Sequence, residues 1–307
     1  MLKKYVKIVS LILIIILTFL IVGCSEEPDD GGDTPSEYVE TNICPYCKKC
    51  KDPDCTECEE KCECEELEYN VSSHKMLEGK DTETDVYLYT TNKQGPKICI
   101  VGGIHGDELA GWNAALKLKD SLVNEYGFQG SVLLIPQANI LADNAKHRYV
   151  VSGYDFSDLN RSFPKGRYSS AKTSTIEIST TLVNEIEAFD PDYIIDLHES
   201  RHSWSQMEEG VKTSLGDTLI ASNNPRFINQ IIRRYNNEYR EESETDFRRE
   251  ESNQLGSFNY YFTNTYPEKI VFTVETNRDE DRALLDTRIR QQLNILQAFF
   301  DLAWDRI

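Results

Sequence analysis

From about Tyr69 onward, apolar residues follow two alternating rhythms. Val86 to Thr90 reads as an edge strand, and KICIVGG (97–103) is continuous and β-branched, as in a strand covered on both faces. Residues 107–125 then place Leu109, Trp112, Ala115, Leu116 and Leu122 near helical spacing and stop before Gly127. The alternation continues with a strand at 131–136 (SVLLIP), a helix at 174–189, a strand at 192–197 (DYIIDL) and a further strand at 218–221 (TLIA). Pro225 opens a helix to about Tyr239, KIVFTVE (269–275) is a last strand, and 282–304 is an amphipathic helix. Strands separated by helical patterns predict an α/β fold, with a mixed, mostly parallel sheet sandwiched between helices. In such a sheet ligands belong at the carboxyl ends of the strands.

The chain before Tyr69 has another texture. Lys3, Lys4 and Lys7 precede an uncharged run from Ile8 to Gly23, the pattern of an export signal over residues 1–23. The run ends in Ile21-Val22-Gly23-Cys24, which resembles a bacterial lipoprotein processing site and makes Cys24 the expected lipidation point. An uncleaved membrane span is the alternative, but the run falls short of the ~20 residues needed. Either way the protein is expected outside the cytoplasm, and with lipid attached it is held on the outer face of the cell membrane. Residues 24–43 are rich in acid, Gly, Pro and Ser and form a tether. Residues 44–68 are a Cys-rich segment with Cys44, Cys47, Cys50, Cys55, Cys58, Cys62 and Cys64. Its CxxC spacings suit a second metal, and an exported location suits disulfides instead. Residues 69–307 then form one catalytic-sized domain.

Charge narrows the partners. With 33 basic against 52 acidic residues the formal charge is -19, which excludes a nucleic-acid binder, because phosphates require clustered Lys and Arg. A hydrophobic content of 39% is enough for a sizeable core. Cys99, inside the run 98–101, reads as a buried thiol without chemistry.

Three predicted strand ends carry unusual residues. GGIHGDE (102–108) sets His105 and Glu108 as HxxE between a strand and a helix, DLHES (196–200) places His198 after an apolar strand, and TVET (273–276) places Glu275 likewise. Singly, each has a bland reading: a first-turn acid favoured by the helix dipole, a packed histidine, a buried hydrogen-bonded acid. Together they converge on one rim of a parallel sheet, and two His with one Glu is the ligand set of a catalytic zinc with an open fourth position.

GGIHGDE, DLNRSFP (158–164), DLHE (196–199) and TVET, in that order, resemble the zinc carboxypeptidase superfamily, most closely its succinylglutamate desuccinylase/aspartoacylase branch. The resemblance implies that His105, Glu108 and His198 hold one zinc ion and that Glu275 is the general base and acid. It implies that Asn160 and Arg161 hold a substrate carboxylate and that Arg148, in HRYV, polarises the scissile carbonyl. Residues 69–307 are then a zinc-dependent hydrolase domain cleaving an amide of a small carboxylate-bearing substrate. Two alternatives stand beside this: a metallocarboxypeptidase acting on exported or cell-wall peptides, and an inactive surface binding module. The branch commonly carries a further β-rich domain after the catalytic Glu, whereas the residues beyond Glu275 give room for one helix. Tyr260 and Tyr261 are expected as pocket residues, His202 at the mouth, and His147 and His74 as surface or core residues.

Overall fold

The computed structural model describes residues 67–149, 157–164, 173–202, 215–251, 254–279 and 283–304, all within a compact unit of residues 66–307. The signal segment, Cys24, the tether and the seven clustered cysteines lie outside the described residues. Eight strands form one sheet: β1 (Tyr69–Met76), β2 (Thr84–Thr91), β3 (Lys97–Gly102), β4 (Ser131–Ile135), β5 (Tyr193–Ser200), β6 (Thr218–Ile220), β7 (Arg248–Glu250) and β8 (Ile270–Asn277). Their spatial order is β1-β2-β4-β3-β5-β8-β6-β7. The central strands β4, β3, β5 and β8 run parallel, while β1 and β2 on one side and the β6–β8 pairing on the other are antiparallel. The sheet is thus mixed with a parallel centre, as the sequence predicts.

Helices α1 (Leu109–Ser121), α2 (Ile140–Ala145), α3 (Thr173–Phe189), α4 (Pro225–Arg234), α5 (Phe258–Thr265) and α6 (Leu285–Trp304) complete the unit. Alternation along the strands sorts the core into two layers. Ile98, Ile100, Ile195, Leu197, Phe272 and Val274 pack with α1, α4 and α6, whereas Cys99, Val101, Ile194 and Val271 pack with α3 and α5. Cys99 is fully buried, and burial pushes its thiol well above the usual range, so it stays a core residue.

Several elements differ from the predicted pattern, and the short elements β7, α2 and α5 were not part of it. β1 was not expected, because only Met76 of its eight residues is buried; residue-by-residue pairing with β2 holds it rather than an apolar face. The predicted helices 107–125 and 225–239 are each an α-helix followed by one wider turn, at Leu122–Tyr126 and Tyr235–Tyr239. β5 and β8 each run past the ends of their apolar stretches, because their parallel ladder continues through His198↔Glu275, Glu199↔Thr276 and Ser200↔Asn277. His198, expected just past its strand, and Glu275, expected at the end of its own, are therefore neighbours within the sheet.

Candidate metal centre

The loop after β3 must turn sharply toward β5. Gly103 takes φ 73°, and a Cβ there would stand 2.4 Å from the Asp143 carboxylate. Glu108 then occupies the N-cap of α1 without capping it: no side-chain hydrogen bond to the first turn forms, and the carboxylate faces the sheet. Gly111, one turn on, lets the helix lie against β5, since a Cβ there would meet the Leu197 carbonyl oxygen at 2.4 Å. That approach brings Glu108 to His198 across ninety positions of sequence.

His105, Glu108 and His198 are buried and present one ligand atom each to a common point. Glu108 Oε1 lies 2.8 Å from His105 Nδ1, Glu108 Oε2 lies 2.7 Å from His198 Nδ1, and the two Nδ1 atoms are 3.1 Å apart. The outer ring nitrogens are held by acids. His105 Nε2 lies 2.9 Å from Asp158 Oδ1, and His198 Nε2 approaches Asp196 Oδ2 to 3.1 Å without the alignment of a full hydrogen bond. Carboxylates on both Nε2 atoms favour protonation there and turn both Nδ1 lone pairs inward, the usual arrangement behind metal-bound histidines. Two inward lone pairs and a carboxylate repel one another unless a cation, a metal ion or a proton, lies among them. Donors about 2.0 to 2.2 Å from a tetrahedral zinc stand roughly 3.3 Å from each other, so the two Nδ1 atoms at 3.1 Å fit zinc after a small expansion, with one Glu108 oxygen facing each imidazole.

The charges agree. Burial opposes ionisation of Glu108, but the two imidazoles outweigh it and hold the carboxyl well below its usual range. Burial disfavours a charged His198, yet Glu108 and Asp196 overcome it and raise its pKa. Burial also opposes ionisation of Asp158, and the His105 hydrogen bond with the Arg148 and Arg161 charges keeps it a carboxylate.

Glu275 stands beside His198 in the ladder, partly exposed, with no hydrogen bond or ion pair among the described residues. Burial, with the charges of Glu108 and Asp196, pushes its pKa up to about 8 against the opposing pull of His198 and Arg148. Arg148 joins the centre: its Nη1 donates to Glu108 Oε1 at 2.8 Å, and its Nη2 lies 3.5 Å from Asp158 Oδ2. Asn160 and Arg161 follow Asp158 in a short 3-10 turn, Leu159–Arg161. The Asn160 N–H donates to Asp158 Oδ1, its side-chain oxygen accepts from the Phe258 N–H at the start of α5, and Arg161 Nη1 donates to the Asn160 carbonyl.

Other expected residues stand elsewhere. Tyr261 packs among α3 and α5 with its hydroxyl on Glu187, a core role rather than a pocket one. His74 lies on the exposed strand β1, 3.0 Å from Glu185. The His147 carbonyl accepts from the Gly106 N–H, so this residue props the His105 loop. His202 is exposed just past β5. The sequence reading gave no role to Asp158 or Asp196, although each sits two residues from a residue it singled out.

Comparison with known proteins adds the family. The model of the succinylglutamate desuccinylase/aspartoacylase catalytic domain matches residues 94–259, more than half of the chain. That interval holds His105, Glu108, Arg148, Asn160, Arg161 and His198, and Glu275 lies beyond it. A stretch of 105 residues is 34% identical to N-alpha-acetyl-L-2,4-diaminobutyric acid deacetylase of Halomonas elongata, covering 34% of this chain and 29% of that protein. In fold the chain is similar to an aspartoacylase family protein of Mesorhizobium loti, with TM-score 0.53, 20% identity, and 75% and 67% of the two chains covered. It is likewise similar to Csd4, a D,L-carboxypeptidase of Helicobacter pylori, with TM-score 0.50, 18% identity, and 68% and 51% covered.

Proposed function

Because the chain belongs to the succinylglutamate desuccinylase/aspartoacylase family, we propose that it is a zinc-dependent hydrolase cleaving the amide bond of a small carboxylate-bearing substrate, foremost an N-acyl amino acid. The observation that carries this reading is the buried meeting of His105, Glu108 and His198 beside an otherwise unengaged Glu275. Zinc held there would supply Lewis acidity toward water and the scissile carbonyl. The remaining chemistry falls to side chains. Glu275, whose pKa stands near the working pH, accepts the proton of the attacking water and delivers it to the leaving amine nitrogen as the C–N bond breaks. Arg148 and Arg161 supply the local positive charge that a strongly acidic protein needs to attract an anionic substrate, and Arg161 suits bidentate contact with a carboxylate.

A peptide with a free carboxylate is the second substrate class. The lipoprotein-like leader ending at Cys24 favours it, because a protein anchored outside the cell meets peptides, and the likeness to the Csd4 carboxypeptidase shows that this fold accommodates such chemistry.

Zinc analysis of the purified protein should find about one equivalent per chain bound through His105, Glu108 and His198. Hydrolysis of N-acetyl and N-succinyl amino acids, compared with dipeptides, separates the two substrate classes. Protein that takes up no zinc, or His198→Ala that keeps it all, would end the reading. Arg161→Ala should lose most activity on carboxylate-bearing substrates and little on their amides.

A further inference from the structure

We infer that the last helix, α6, sets the geometry of the metal centre, with Arg288 and Gln292 as positioning residues; the inference rests on the zinc-hydrolase reading above. Side chains along β5 and β8 alternate between the two faces of the sheet, so His198 and Glu275 point to the α3/α5 layer while Glu199 and Thr276 point to the α6 layer. The residues on the far face are all engaged with α6. Arg288 Nε donates to Glu199 Oε1 at 2.6 Å, and its Nη1 donates to the Ala283 carbonyl at 2.6 Å. One turn further, Gln292 Nε2 donates to the His198 carbonyl at 2.7 Å and to Thr276 Oγ1 at 3.2 Å.

Glu199 passes this grip to the third ligand. Glu108 sits at the N-cap of α1 with its carboxylate turned to the imidazoles, so the first turn needs an acceptor from elsewhere. Glu199 Oε2 provides it, accepting from the Ala110 N–H at 2.8 Å, while the Glu199 N–H donates to Glu108 Oε2 at 3.0 Å. Two side chains spaced i and i+4 on one helix thereby hold the segments of Glu108, His198 and Glu275 from behind.

Stability alone does not account for them. Arg288 and Glu199 are buried at 4% and 3% exposure, and an apolar pair of similar volume commonly stabilises such a site as well or better. What the polar pair adds is direction, at the backbone that carries the ligands.

The test measures zinc affinity of the full chain against a chromogenic chelator, with the visible spectrum of the cobalt-substituted protein as a readout of ligand geometry, each taken as the difference from His198→Ala so that metal held by the cysteines cancels. Two variants loosen the grip: Gln292→Leu, and the pair Glu199→Gln with Arg288→Met. Arg290→Met is the control, removing from the same helix an arginine paired instead with Glu241 and Glu244. The expected result is a 10- to 100-fold weaker zinc affinity and an altered cobalt spectrum for both grip variants, with the control unchanged. Should the pair variant not fold, Arg288→Lys, which keeps charge but loses the planar fork, takes its place. Grip variants that lower the unfolding temperature yet bind zinc with wild-type affinity and spectrum overturn the inference, as does an equal loss in Arg290→Met. A wild-type protein that binds no zinc overturns the hydrolase reading itself; a wild type that binds it alongside unaffected variants overturns this inference alone.

Discussion

Two acids show how far a local environment decides what a carboxyl group does. Glu275 needs a pKa near neutrality to move a proton, so Glu275→Gln should remove activity by several orders of magnitude while zinc content stays at the wild-type level; metal analysis beside the rate assay checks both. Asp143, in α2 against Gly103, has the same chemistry and no such use. It is buried at 2% exposure, neither oxygen has a well-aligned hydrogen bond, and burial pushes its pKa well above the ordinary value, with a loose contact to the Gln137 amide offsetting only part. A raised acid binds its proton more tightly in the folded state, so it lowers stability progressively as pH climbs from the unfolded pKa near 4 toward the folded value. Asp143→Asn removes that dependence. Urea unfolding should therefore show the variant gaining on the wild type as pH rises above about 4, by about 1.4 kcal/mol for each unit of the shift crossed. A difference independent of pH would mean that Asp143 is ionised in the fold.

At the scale of elements, the close contact of α1 with β5 is what unites the metal ligands, and it depends on one missing methyl. Gly111→Ala places a Cβ against the Leu197 carbonyl oxygen, a backbone atom that cannot swing aside, so α1 must move. The expected cost is about 1–3 kcal/mol in thermal or urea unfolding, with weaker zinc uptake as Glu108 is drawn from His198. The central strands and all the long helices were legible in the sequence because burial on both faces or on one stripe leaves a periodic trace. β1 and the charged β7 (Arg248–Glu250) left none, since both are edge strands held by backbone pairing with little or no buried side-chain pattern. The side chains that meet at the rim were legible because histidine is rare here, five in the chain, and His105 and Glu108 form one local motif. Asp158 and Asp196 needed the fold, as each acts on a histidine through space. The Glu199–Arg288 pair joins residues 89 positions apart, yet it left a readable sign. On α6 the buried stripe of Leu296, Phe299 and Ala303 begins with Arg288 and Gln292, polar residues at positions where the periodicity calls for apolar ones.

At the scale of the whole molecule, both apolar layers are drawn from the 66–307 unit, and the metal centre lies at the rim of the sheet between them. The rim gathers side chains from four separate stretches of chain, with Arg148 on the outer side of Glu108 and the two imidazoles on its inner side, where the proposed ion would sit. Binding of the proposed zinc would therefore be coupled to the stability of the entire unit rather than to one loop. Thermal unfolding of the chelator-treated protein should rise on titration with zinc, by about 2.7 kcal/mol of stabilisation when free zinc stands a hundredfold above its dissociation constant. His105→Ala and His198→Ala should each abolish most of that increment. A chain beginning at Glu66 should keep the wild-type transition and the same increment, because the described core and the three grouped side chains all lie within residues 66–307. An increment that vanishes with those residues while His198→Ala leaves it intact would place the zinc among the cysteines instead, and the rim would lose its claim to be the catalytic centre.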